Sequence, residues 1–157
     1  MPFPTGCLIR PPLAALLALA LTAAAPAFAT LGGGVASVEA DRVKLQGRVQ
    51  VTTVAGVTVH EITTAAGTRV REYLTPDGAV FGFTWHGPFI PDLRQLLGSY
   101  YQQYAHGVQE AHPVGRRHLS VQLPSLVVQS NGRMRAFSGR AWDPALLPQN
   151  FSLTNLN

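Results

Sequence analysis

The sequence predicts an α+β fold: a mostly antiparallel β-sheet, built from a meander and a C-terminal hairpin, with one principal amphipathic helix packed on it. Three observations carry this. Short alternating apolar runs separated by glycine-ended turns fill residues 57–85. The period then changes to that of a helix at Asp92–Tyr104. Short β-branched runs resume after residue 117 around the dipeptide Asn131-Gly132. Strands, then a helix, then strands again is an α+β order.

The N-terminus reads as an export signal. Met1–Pro12 carries one basic side chain, Arg10, and no acid. Leu13–Ala25 is apolar but short for a bilayer span. Ala27-Phe28-Ala29 then offers the small-x-small pattern of a cleavage site. Cleavage after Ala29 makes 1–29 a signal peptide and places the protein in the periplasm or outside the cell. It removes 29 of 157 residues and leaves 128, enough for one domain over residues 30–148, with an irregular tail at 149–157. The only cysteine, Cys7, goes with the leader, so the mature chain has neither a disulfide nor a thiol nucleophile. Loss of Arg10 takes the formal charge from +4 to +3. That balance suits an anionic envelope component or a protein partner and is too small for nucleic acid. The mature chain is expected not to span a membrane.

Thr30–Gly34 reads as a flexible start and Val43–Val54 as a strand. Val57–Thr64, Thr68–Thr75 and Ala79–Trp85 form the meander, joined by turns containing Ala-Ala-Gly and Pro-Asp-Gly. In the helix, Leu93, Leu96, Leu97, Tyr100 and Tyr104 share one face. Asp92 caps its first turn, with Gln95 placed to reach back in a capping box. Gly98 weakens that helix or lets it pack closely. Ala105–Arg117 reads as a loop. His118–Leu123 and Ser125–Ser130 are short strands, and an Asn131-Gly132 turn leads into Arg133–Arg140.

The meander's register decides which side chains meet. Thr64–Thr68 and Thr75–Ala79 each close as a three-residue loop with a bulged glycine. An Asp77-Gly78 two-residue turn is the alternative for the second and would slip it by one residue. The favoured register sets Glu61 opposite Arg71 and His60 opposite Glu72, then Phe83 beside Arg71, Gly82 beside Glu72 and Tyr73 against Phe81. One face then carries Val57, Val59, Tyr73, Phe81, Phe83 and Trp85, which the helix is expected to cover. His60 and Glu72 lie on the other, and if that face is covered they form a half-buried pair needing satisfaction.

The runs GTRVREYLTPDGAVFGFTWHGPFIPDLRQLLGSYYQQY and NGRMRAFSGRAWDPALLP resemble a family of exported bacterial proteins labelled domain of unknown function 2844. The shared features are the G-T-x-V-R-E-Y strand, the P-x-G turn, the strand ending W-x-G-P, the P-D-L helix start and the R-A-x-x-G-R-A segment. The resemblance runs from about Leu31 to Pro148. It implies export and brings no activity, cofactor or catalytic residue.

Candidate sites can be read from the residues alone. His60 and Glu72 form an acid/base pair of the kind a hydrolase uses. No nucleophile elbow, phosphate loop or metalloprotease motif accompanies it. His106, His112 and His118 recur every six residues, a spacing that fits no helix face, as metal-ligand candidates. Arg133, Arg135 and Arg140, with Phe137, form the densest basic group and suit an anionic or aromatic partner. Their alternative role is to keep an edge strand soluble. Trp85-His86 at a sheet end can line a pocket or simply close the core. No cofactor is expected. The favoured reading is a non-catalytic envelope binding module. The alternatives are the His60–Glu72 hydrolase and a structural or assembly accessory protein of the cell surface.

Overall fold

The computed structural model describes residues 31–111 and 118–156. The predicted signal peptide, Cys7 and His112 lie outside them. The protein is α+β: seven antiparallel strands form one sheet, with helices on one face. The strands are β1 (Arg48–Val54), β2 (Val57–Thr63), β3 (Arg69–Leu74), β4 (Val80–Gly87), β5 (His118–Leu123), β6 (Leu126–Arg133) and β7 (Ala136–Trp142). Their spatial order is β1-β2-β3-β4-β7-β6-β5, so the meander and the C-terminal strands meet where β4 pairs with β7.

The helices are α1 (Val35–Lys44), α2 (Leu93–Leu97) and α3 (Tyr101–Glu110). α1 follows the expected flexible start at Thr30–Gly34, fills residues for which no element is predicted, and takes Val43 and Lys44 from the expected strand; β1 starts only at Arg48. Its inward side is mostly polar, burying Ser37, Val38 and Asp41, so its apolar periodicity is weak. The principal helix reaches Glu110, well past Tyr104, and breaks at Gly98. That residue adopts φ +49°, a left-handed backbone that glycine tolerates best. Asp92 caps α2 as expected, accepting from the Arg94 and Gln95 amides. The Gln95 side chain does not complete a capping box; it donates to Asp41 across the helix layer.

The β2–β3 register is the expected one, with His60 opposite Glu72 and Glu61 opposite Arg71. The Thr75–Ala79 turn also closes as expected, with Gly78 at φ +83°. Beyond it the register shifts at the Phe81-Gly82 bulge: Leu74 faces Val80 but Tyr73 faces Gly82. Arg71 therefore opposes Thr84, and Glu72 opposes Phe83. An extra residue in one strand reverses the alternation beyond it. Phe81 keeps company with Tyr73, ring centroids 6.2 Å apart, while Phe83 and Trp85 turn to the Glu72 face.

This reverses the expected layering. The helices cover the Glu72 face, where Ile62, Val70, Leu74, Phe83 and Trp85 pack beneath Leu96 and Leu97. Tyr73 and Phe81 lie on the second face, covered with Val57, Val59 and Trp142 by Phe151 and Leu156. The segment expected to be an irregular tail thus carries two buried side chains and a 3-10 turn at Leu153–Asn155. The last hairpin turns at Met134-Arg135, not at Asn131-Gly132; Gly132 pairs with Phe137 inside the ladder. No helix among the described residues is long and apolar enough to cross a membrane.

Candidate functional site

The C-terminal tail covers only part of the second sheet face. Over β4, β7, β6 and β5 that face stays open as a trough of about 600 Å³, closed at one side by Leu156. Its floor follows from strand alternation. Phe83 and Trp85 point to the helices, so Thr84 and His86 point away. Val121, Leu126, Val128 and Ala141 likewise face the helices, which leaves the intervening polar positions on the open side.

The ladder aligns these positions in two rows. Arg69 opposes His86, His86 opposes Ser138, Ser138 opposes Asn131 and Asn131 opposes His118. One row of polar side chains therefore crosses five strands. Beside it, Thr84 opposes Arg140, Arg140 opposes Gln129 and Gln129 opposes Ser120. Among the described residues the lining contains two arginines and two histidines and no carboxylate.

Arg140 is held rigidly. Its Nε donates to Gln129 Oε1 at 2.8 Å and its Nη1 to the Leu153 carbonyl at 3.2 Å. The guanidinium lies 5.4 Å from the Trp142 ring centroid. A planar cation fixed in this way is preorganised for an oxyanion. Arg69, at the trough's far edge, is exposed and makes no ion pair among the described residues. Arg71, one alternation along β3, is instead tied to Glu61, Nε to Oε2 at 2.5 Å.

The sequence model of the family described as Protein of unknown function (DUF2844) matches residues 27–156. The chain belongs to this family. No curated protein and no solved structure matches it. The match spans every strand of the DUF2844 sheet and both rows of the trough.

In this DUF2844 chain the His60–Glu72 pairing exists at the backbone, yet the side chains diverge. Glu72 is 2 % exposed, sealed beneath α1, and its carboxyl lies beside that of Asp41, itself fully buried. No hydrogen bond joins His60 to Glu72 among the described residues, and neither residue lines the trough. Burial, and then the Asp41 charge, push the Glu72 carboxyl well above its ordinary range. Burial also raises Asp41, against a lowering hydrogen bond from Gln95. Burial lowers His60. Asp41 is invisible to sequence reading because α1 is; a helix-inward acid four residues before Leu45 is its only signal.

The other candidates separate. His106 sits on α3 on the helix side, whereas His118 opens into the trough from β5. Arg133 and Arg135 do not share a strand face, because Arg135 occupies the hairpin turn at φ +59°. Phe137 lies across Gly132 on the helix side of the sheet, away from Arg140. Among the described residues, Arg140 alone of the predicted basic group joins the trough. His86, a possible pocket residue by sequence, joins it too.

Proposed function

We propose that the protein is an exported, non-catalytic binding module of the cell envelope, and that the open trough takes a ligand bearing negative charge. The observation that carries this is the lining: among the described residues it holds Arg69, Arg140, His86 and His118 beside neutral polar groups, and no carboxylate. Field lines from fixed cations in a concave site favour anions. Export rests on the leader at Met1–Ala29, and N-terminal sequencing of protein recovered from the periplasm or medium is expected to begin at Thr30.

Retention on immobilised dextran sulfate tests the charge preference. The mature protein should be held at low ionic strength, released by salt, and pass uncharged dextran freely. Arg69→Glu should elute earlier. Absence of retention at low salt overturns the reading.

A second reading, an assembly accessory, has one observation in its favour. All seven residues of the edge strand β1 are exposed, including Val49 and Val51. An open apolar edge is a template for strand addition. Crosslinking through a cysteine placed at Thr52 would capture such a partner in cells; no adduct would remove this reading.

A further inference from the structure

The trough's floor says more about its ligand than charge alone. We infer that the occupant is an acidic oligosaccharide lying across the strands, an inference that rests on the trough being an anion-binding site. The chain of sugars runs along the row Arg69–His86–Ser138–Asn131–His118, with an acidic group seated between Arg69 and Arg140.

The first argument is spacing. Neighbouring strands lie about 4.8 Å apart, so the five-strand row extends over about 19 Å. Each step presents one side chain able to donate or accept. The repeat matches a polymer whose hydroxyls recur at nearly the length of one sugar ring. The second row, including Gln129 and Ser120, widens the floor with further neutral partners.

The second argument is what the floor lacks. Single-stranded nucleic acid is held by exposed aromatic platforms. Here Trp85 turns its ring to the opposite face, against Gly139, and Trp142 is buried under the tail and Arg140. An acyl chain would strip water from these polar groups and return no hydrogen bond. A small apolar ligand prefers an enclosed pocket, whereas this trough is open and carries two arginines in its lining. Hydroxyl-rich, anionic and extended is the chemistry that remains.

Titration calorimetry with the mature protein tests this, using oligogalacturonides and oligomannuronates from monomer to hexamer. Neutral maltohexaose, inorganic phosphate and anionic phosphatidylglycerol vesicles serve as comparison ligands. Affinity for at least one acidic series should rise with length until about four units bridge the row's inter-strand gaps. Arg69→Ala should weaken the hexamer about tenfold, the loss of one charge-assisted contact. His118→Ala should leave short oligomers unchanged and abolish the gain at the longest lengths, which a merely structural defect would not do. Circular dichroism of both variants, each altered at an exposed position, checks that they fold.

The outcomes separate the two claims. Equal binding of phosphate and hexamer, or binding to vesicles alone, overturns the oligosaccharide inference and leaves an anion-binding module. Equal binding of maltohexaose removes the acidic requirement and likewise overturns it. No binding to either acidic series overturns it as well. If the dextran sulfate retention also fails, the binding reading falls with it.

Discussion

The buried carboxyl groups of Asp41 and Glu72 lie against each other beneath α1, one from the helix and one from the sheet, and each alters the other's hold on its proton. Asp41 Oδ1 accepts from Gln95 Nε2, but Asp41 Oδ2 and Glu72 Oε2 have no hydrogen-bond partner among the described residues. Two buried carboxyls in contact satisfy one another only when they hold a proton between them.

This pair makes stability depend on pH. Both carboxyls keep their proton more tightly in the folded chain than in the unfolded one. Above the ordinary glutamate value of 4.5 the folded state therefore binds more protons, and stability falls as pH climbs toward the raised folded value. His60, lowered by burial, has the opposite sign: its contribution is present above its ordinary value of 6.5 and is lost as pH falls. Lys44 and Asp92 also act on Asp41, with opposite signs. Comparing wild type with Glu72→Gln isolates the pair, because the introduced amide can donate to Asp41 at any pH. Urea midpoints should favour the variant at about pH 8 and converge at about pH 4. Parallel pH profiles would show that no proton is shared.

The contact of Trp85 with Gly139 predicts a large cost for a small addition. A methyl group on Gly139 would overlap the Trp85 ring at Cζ2, in the floor between the helices and the sheet. Gly139→Ala should lose about 1–3 kcal/mol by overpacking, read as a lower urea midpoint. A variant as stable as wild type would mean that the indole moves freely.

Phe151 should behave as a core residue. It is 6 % exposed and meets Tyr73 and Phe81 at centroid distances of 5.9 and 5.1 Å, edge to face. Phe151→Ala is expected to cost about 3 kcal/mol or more in chemical denaturation. A cost near zero would assign the tail no part in the second core.

The Glu61–Arg71 pair should matter far less, although its contact is short. The side chains keep 21 % and 37 % of their exposure, so water screens the pair. Glu61→Gln should change stability by less than about 1 kcal/mol, and less again at high salt. A loss comparable to that of Phe151→Ala would reveal coupling to the trough beside it.

Local chemistry makes parts of this fold legible. Turn glycines at 67 and 78 and the complementary charges of Glu61 and Arg71 are enough to place β2 against β3. Asp92 announces its helix through one cap. The rest depends on tertiary packing. The Phe81-Gly82 bulge has no sequence mark beyond a glycine. It is favoured because Gly82 sits where a side chain would meet the Ala141 carbonyl at 3.0 Å. α1 stays hidden because it buries an acid against another acid, a choice that hydrophobic periodicity cannot detect. The trough is legible only in fragments, since Arg69, His86, Arg140 and His118 come from four strands and meet only once β4 pairs with β7.

A sheet with a buried core on each face has a consequence for how the molecule comes apart. β4 places Phe81 in one core and Phe83 with Trp85 in the other. β2, β3 and β7 likewise serve both cores, so neither hydrophobic layer can loosen without pulling on the backbone that anchors its neighbour. Stitched through shared strands, the layers should unfold as a single cooperative unit, and the trough should vanish in the same transition as the helix layer.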